Sequence, residues 1–350
     1  VTLTVDSVSH WYGDEQAVTD VSFSVASGEL VALLGPSGCG KTTLIQAIAG
    51  HIQPTSGRIS LRGTDVTEQP PESRHIGLVF QQPTLYPQMT VAENVAYGLA
   101  GRGVDRAKRE SVVADHLELV DLADQRDAVP AALSGGQQRR VELARAVAPA
   151  PDVLLLDEPL SALDRALRER LCDEIDRIHR ETGVTTLFVT HDQREAMSLA
   201  DRIVVLNEGR VSAIGTPREL YHSPPNQFVA SFLGWSTPLA ATVSDHEPLV
   251  VSLASHALTL ASTTVSAPVG ASVTCQFRPE SLSVIPAETA TADDGIGGTV
   301  TAVRDRGRHY DVTVGVETGE TLAVEQTARP PAVGETVVVA IDPQAVTVFS

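Results

Sequence analysis

The residues Gly35-Pro36-Ser37-Gly38-Cys39-Gly40-Lys41-Thr42-Thr43 follow directly on the apolar run Leu30–Leu34. The fixed positions of a phosphate-binding loop are all there: Gly35, then Gly40-Lys41-Thr42. Glycines let the backbone curl so that successive N–H groups point at one anion. Lys41 adds a full positive charge near the outer phosphates, and Thr42 offers a hydroxyl to Mg²⁺. A helix opening near Lys41 turns its positive end toward the same anion.

Further chemistry-bearing residues follow in order. Tyr12 lies upstream, where an aromatic ring can stack on a base. Gln81 ends the apolar stretch 77–80, at the carboxyl edge of a strand. Leu133-Ser134-Gly135-Gly136-Gln137 is a second glycine-rich turn opening a helix, and so a second anion site. Val153-Leu154-Leu155-Leu156 ends in Asp157-Glu158. Asp157 can hold Mg²⁺ or its water, and Glu158 can orient and polarise an attacking water. Ser161-Ala162-Leu163-Asp164 comes next. Residues 185–189 lead into Thr190-His191-Asp192, with His191 at a strand tip.

The elements that must place these residues can be read from periodicity. Residues 3–8 and 21–25 alternate as half-buried strands, with Trp11-Tyr12-Gly13-Asp14 read as the turn between them. The runs 30–34, 76–80, 153–156, 185–189 and 203–206 read as buried parallel strands. Residues 43–49, 91–99, 106–119, 136–147 and 166–182 read as helices. Strands alternating with helices imply a doubly wound α/β sheet, with 88–150 an inserted helical subdomain. Texture changes near Gly234. Beyond it, short alternating runs at 249–253, 272–277, 299–303, 310–316, 321–325, 336–341 and 345–348 imply a small β-barrel. Glu142, on the helix after the second glycine turn, reads as solvated surface.

This ordered set resembles the ATPase subunit of ATP-binding cassette (ABC) transporters over residues 3 to about 233, and Leu133-Ser134-Gly135-Gly136-Gln137 is its specific part. The resemblance implies a P-loop ABC ATPase domain over 1–235 with the helical subdomain inside it. It implies that Tyr12 stacks on adenine and that Gly35–Thr43 cradles the phosphates of ATP, with Lys41 on the outer two. Thr42 and Gln81 would be Mg²⁺ ligands with Asp157 beside them. Glu158 would be the catalytic base, and His191 would contact the γ-phosphate and the attacking water. Ser134, Gly135, Gly136 and Gln137 would meet the ATP of a second copy, with Asp164 at the same interface, in a head-to-tail homodimer.

Phe277-Arg278-Pro279-Glu280, within the β-rich tail, resembles the OB-like (TOBE) domains appended to importer ATPases for sugars, ferric iron, polyamines, thiamine, sulfate or molybdate. Residues 236–350 are therefore read as such a regulatory domain, although no cluster of ligand residues stands out there. In that group two membrane permease subunits dock a short helix near 83–87 and 92–97, and an extracytoplasmic binding protein delivers the solute. Leu85, Tyr86 and Met89 are apolar enough to line such a groove or to fill core. Tail length and the style of 92–99 and 143–151 resemble ferric-iron, polyamine or thiamine importers more than sugar importers; ferric iron is the first expectation for the cargo, with polyamine, thiamine, molybdate or sugar as the alternatives. The alternative is a soluble ABC ATPase acting on nucleic acid or ribosomes.

Composition argues against that alternative. Lys and Arg number 26 against 44 Asp and Glu, a net charge of −18, and the lysines are Lys41 and Lys108 alone. Residues 236–350 carry 5 basic and 13 acidic side chains, so the acid is spread along the chain. Such a surface repels nucleic acid and anionic lipid. It resembles cytosolic proteins of salt-accumulating microbes, in which molar salt shortens the Debye length to about 3 Å. No stretch approaches the roughly 18 apolar residues of a membrane span. The first residues show no signal core, so the expectation is a peripheral protein on the cytoplasmic face of the membrane. Cys39, Cys172 and Cys275 are too far apart in sequence for a disulfide framework or zinc spacing.

Overall fold

The computed structural model describes residues 1–161, 163–246, 248–253, 256–260, 267–290, 295–316 and 319–350. They form two compact units, Val1–Pro217 and Arg218–Ser350. The division falls before the change of texture near Gly234.

In the first unit, β1 (Leu3–Tyr12) and β2 (Glu15–Val25) form a hairpin. Trp11 and Tyr12 belong to β1, opposite Gln16 and Glu15, so the turn is narrower than the sequence suggested and consists of Gly13-Asp14. There follow β3 (Leu30–Leu34), α1 (Lys41–Ala49), β4 (Ser56–Leu61), β5 (Thr64–Asp65) and β6 (Ile76–Val79). The helical segment comprises α2 (Val91–Gly101), α3 (Arg106–Leu119) and α4 (Gly135–Val147). Then come β7 (Val153–Asp157), α5 (Arg165–Thr182), β8 (Thr185–Thr190), α6 (Gln193–Leu199), β9 (Arg202–Asn207) and β10 (Arg210–Gly215).

Two sheets result. One is antiparallel, in the order β2-β1-β4-β5. The other runs β10-β9-β3-β8-β7-β6, and every strand but β10 is parallel to its neighbours. The central strands are buried because both faces are covered: all five residues of β3 are buried and apolar, and all six of β8 are buried although three are threonines. Leu44, Ile45 and Ile48 of α1 fill the core between the sheets, each stabilising by about 1.5–3 kcal/mol of apolar burial.

The parallel order is what makes the site. Leu34 pairs with Thr190, Asp157 with Val189 and Val79 with Leu156. The loops leaving β3, β8, β7 and β6 therefore all emerge at one sheet edge, the carboxyl edge where ligands bind in such folds.

α7 (Pro217–His222) begins at the division between the units. The second unit contains α8 (Gln227–Phe232) and then β11 (Thr237–His246), β12 (Leu249–Leu253), β13 (His256–Leu260), β14 (Ser272–Phe277) and β15 (Leu282–Pro286). After these come β16 (Gly295–Asp305), β17 (Tyr310–Val316), β18 (Thr321–Gln326), β19 (Thr336–Ile341) and β20 (Thr347–Phe349). They build two five-stranded antiparallel sheets, β13-β12-β11-β14-β20 and β15-β19-β16-β17-β18, around one shared core. Strands β11, β13 and β15 were not marked in the sequence. Pro238 and Pro286 disguise two of them as turn segments, but each proline sits at a strand end, where a missing donor is tolerated.

Candidate functional site

The loop between β3 and α1 is shaped by its glycines. Gly40 caps α1 with φ 101°, and a Cβ there would lie 2.5 Å from the Ala17 carbonyl oxygen. Only glycine meets both demands. Lys41 is 5% exposed, and its Nζ donates to the carbonyls of Gly35 (2.9 Å) and Pro36 (3.0 Å). No carboxylate pairs with it among the described residues. A buried cation held by carbonyl dipoles and the Cys39 sulfur at 4.0 Å, beside an α-helix N-terminus, is a donor set suited to an anion. Ser37, Gly38 and Thr42 are exposed at the same loop, so the Thr42 hydroxyl is free to ligate a cation. Burial pushes the Cys39 thiol up, away from thiolate.

The loops leaving β7, β8 and β6 converge. His191 Nδ1 lies 3.2 Å from Glu158 Oε2. Gln81 Nε2 lies 3.5 Å from the same oxygen and donates to Ser161 Oγ at 3.2 Å. The Ser161 hydroxyl donates to the Glu158 carbonyl at 3.1 Å. Glu158 itself has φ 42°, the left-handed region. For a non-glycine residue that conformation costs on the order of 1–3 kcal/mol and persists only where neighbours fix it. Here the Glu158 N–H donates to the carbonyl of Val189 on β8 at 3.0 Å. Asp157 is pushed above the usual carboxylate range by burial and by the adjacent Glu158, against the pull of Lys41 and Arg139. A divalent cation would relieve that crowding, so the donor set fits Mg²⁺.

The His191 loop is tied down by buried groups. The Thr190 hydroxyl donates to Glu195 Oε2 at 2.6 Å and accepts from the Asp192 N–H at 2.9 Å. Burial raises the Glu195 carboxyl. Arg168 stands 3.4 Å from Asp192 and 3.5 Å from Glu195, and donates to the Leu163 carbonyl at 3.1 Å. This links the His191 loop to the loop before Asp164. Ala162 of that loop lies outside the described residues.

Tyr12 is half exposed and meets His10 edge-on at 4.7 Å, so one ring face is open for stacking. Ser134 and Gln137 form a reciprocal capping box at the start of α4, at 3.3 and 2.9 Å. Asp164 caps α5 by accepting from the Leu167 N–H at 3.0 Å. Among the described residues no hydrogen bond or ion pair joins Ser134–Gln137 or Asp164 to the loop 35–43. The two glycines of the turn differ. A Cβ on Gly136 would lie 2.8 Å from Leu167 Cδ1, so a side chain there would have to displace the tip of Leu167. A Cβ on Gly135 would meet nothing within 4 Å.

One expectation is corrected. Glu142 is not solvated surface: it is 1% exposed. Its carboxylate pairs with Arg139 at 2.8 Å, lies 3.6 Å from Arg145 and accepts from the Thr84 N–H. Arg139, Glu142, Arg145, Arg168 and Ser161 were not singled out as site residues. The available signal was spacing, because Arg139 and Arg145 flank Glu142 by three residues on either side, where helix side chains meet.

A groove of about 490 Å³ opens beside this network, lined by Phe80, Thr84, Tyr86, Tyr97, Arg102 and Arg145 among others. Tyr86 packs on Tyr97 with ring centroids 4.5 Å apart. Leu85 and Met89 are half-buried and do not line it.

Comparison with known proteins gives the following. Residues 18–161 match the family described as ABC transporter, and residues 276–349 match the family described as TOBE domain. The chain is 48% identical over 272 residues to the spermidine/putrescine import ATP-binding protein PotA of Acidothermus cellulolyticus, covering 77% of this chain and 71% of that one. It is 44% identical over 312 residues to the sulfate/thiosulfate import ATP-binding protein CysA 2 of Chromobacterium violaceum, covering 87% and 84%. It is 45% identical over 289 residues to the Fe(3+) ions import ATP-binding protein FbpC 2 of Rhizobium meliloti, covering 80% and 70%. Among solved structures, cbiO1 of Clostridium perfringens, part of the ABC transporter complex cbiONQ, matches with a TM-score of 0.58 at 30% identity, covering 63% of this chain and 90% of that one.

Proposed function

Because this chain belongs to the ABC transporter family, among its import ATP-binding subunits, we propose that it is the ATP-hydrolysing motor of a binding-protein-dependent importer. It is an ATPase that works with ATP and Mg²⁺. The observation that carries the reading of its site is the convergence of Glu158, His191 and Gln81 at the sheet edge that also carries the Lys41 loop.

In this reading the backbone N–H groups of 35–43 and the Lys41 ammonium hold the phosphates, and Tyr12 stacks on adenine. Thr42 and Gln81 hold Mg²⁺ with Asp157 beside them, and when bound the ion neutralises phosphate charge. Glu158 accepts the proton of the attacking water. His191, 3.2 Å away, orients that carboxylate and reaches the γ-phosphate. Phosphoryl transfer needs positioning and charge stabilisation more than covalent chemistry, and these side chains supply both.

The site is completed by a second copy, docked head to tail. Support comes from Gly135, whose lack of a side chain answers no packing need within this chain but leaves room for a phosphate brought by the partner copy. Ser134, Gly136, Gln137 and Asp164 stand at the same surface in this reading. Two permease subunits seat short helices in the groove beside Tyr86, which places the chain at the cytoplasmic face of the membrane. An extracytoplasmic binding protein supplies the solute. Relatives of similar identity are named for polyamine, sulfate and ferric iron import, so the motor sequence discriminates little among cargoes. Ferric iron is the first cargo to test, then polyamine and sulfate.

The test is to purify tagged Glu158→Gln protein with ATP from native membranes and identify what comes with it. Two permease chains and a binding protein are the expected partners. Recovery of only nucleic acid or ribosomal partners, in a preparation that preserves other transporters, would move the function to the non-transport ABC ATPases.

A further inference from the structure

The buried carboxylate of Glu142 is not used by the chemistry above, and neither is the guanidinium of Arg139. Both sit on α4, the helix opened by the Ser134-Gly135-Gly136 turn, and are 1% and 3% exposed. Arg139 donates from Nε to the Pro159 carbonyl at 2.9 Å and from Nη1 to the Phe80 carbonyl, with Nη2 3.5 Å from the Gln81 carbonyl. Glu142 accepts from the N–H and hydroxyl of Thr84. Arg145 donates to the Thr84 carbonyl and hydroxyl, each at 2.9 Å, and its guanidinium lies 5.7 Å over the Tyr86 ring.

The side chains of 80–84 are all exposed, and the one large apolar group among them, Phe80, is anchored by stacking on His51 with ring centroids 6.0 Å apart. Among the described residues, the hydrogen bonds to its backbone come from these three α4 side chains. The segment carries Gln81 at one end and borders the groove at the other. Stability does not explain the ions. Taking two charges out of water costs several kcal/mol per ion, and an apolar pair of similar volume commonly does as well or better. An apolar pair cannot hold carbonyls.

We infer that Arg139 and Glu142, with Arg145, form a positioning pin that makes residues 80–84 and helix α4 move as one piece. This rests on the roles proposed above for Gln81 and for the Ser134 turn. Whatever loads the groove at Tyr86 and Arg145 then shifts Gln81 and the start of α4 together. One movement reaches the metal side of one ATP and the signature side of the other.

The test compares the full-length wild type with the double variant Arg139→Met/Glu142→Leu, whose apolar pair should fold, and with Glu142→Gln as the milder change. Amide hydrogen exchange of peptides spanning 80–86 is read by mass spectrometry, alongside steady-state ATPase kinetics. The expected result is exchange faster by about tenfold in 80–86 with the thermal midpoint held, and kcat lower by about tenfold at unchanged KM for ATP. Unchanged exchange in 80–86 overturns the pin. Faster exchange with wild-type kcat reduces it to a structural contact and also overturns it. Gln81→Ala separates the two levels of the argument. If Gln81→Ala hydrolyses ATP at the wild-type rate, the proposed role of Gln81 fails, while exchange in 80–86 still reports on the pin.

Discussion

His191 Nδ1 stands 3.2 Å from Glu158 Oε2, and the Glu158 N–H is bonded to Val189 of the strand that carries His191. Glu158 and His191 each follow directly on one of two adjacent parallel strands, β7 and β8, which set the spacing between them. Glu158→Gln keeps the size and the backbone bond but removes the carboxylate proposed as proton acceptor. We expect nucleotide affinity near the wild-type value and kcat lower by about 10²–10⁴-fold. Binding of a fluorescent ATP analogue and phosphate release check the two halves. Near-normal turnover would take Glu158 out of the base role.

Asp157 gives a pH-dependent outcome with a definite sign. Its carboxyl is held above the usual range, first by burial and then by Glu158. An acid whose folded pKa exceeds its unfolded one destabilises the fold when charged, and that cost fades as pH falls through the folded pKa toward about 4. Asp157→Asn should therefore raise the thermal midpoint of nucleotide-free protein at neutral pH. The gain should shrink on acidification, while Mg²⁺-dependent hydrolysis is lost. A lower midpoint at pH 7 would contradict the assignment of buried charge here.

Much of this site was legible because its chemistry is written in contiguous residues. Gly35–Thr43 and Asp157-Glu158 are short motifs at strand ends, and the parallel register of β3, β8, β7 and β6 brings those ends to one sheet edge, whereas Ser134–Gln137, equally contiguous, opens α4 and is not joined to that edge among the described residues. What stayed hidden depends on contacts between distant segments. Glu142 reads as surface because its partner Thr84 lies 58 residues away. Strand β11 escaped notice because Pro238 reads as a turn, although the burial of its residues alternates cleanly from Pro238 to Ser244.

Arg74 is a third buried cation beside Lys41 and Arg139, 2% exposed, and it serves the fold. It donates to the carbonyls of Ala47 (2.6 Å) and Ile48 (2.8 Å) at the end of α1, and to Gln69 and Thr67 at 2.8 Å. A cation there complements the negative end of the helix dipole, bonding the Ile48 carbonyl and sharing the Ala47 carbonyl with the Gly50 N–H. Arg74→Met fills similar space but withdraws the guanidinium hydrogen bonds to these carbonyls, so we expect a loss of about 2–4 kcal/mol in urea unfolding. ATP KM of the protein that remains folded should not move. A loss under about 0.5 kcal/mol would mean that water serves those carbonyls equally well.

The acidic surface gives the last expectation. The net charge of −18 is borne largely by exposed carboxylates, and many ion pairs of the first unit, such as Arg58–Asp65, Arg106–Glu110 and Arg165–Glu169, are open to solvent. Exposed pairs contribute about 0–1 kcal/mol each, so weakening them with salt loses little. Repulsion among unpaired carboxylates is long-ranged at low salt and is cut off within about 3 Å at 1 M. Buried pairs such as Arg139–Glu142 are screened far less. Raising KCl from about 0.1 to 2 M should therefore raise both the thermal midpoint and the ATPase rate. A rate maximum near 0.1 M with precipitation at high KCl would show that self-repulsion is not what limits this fold.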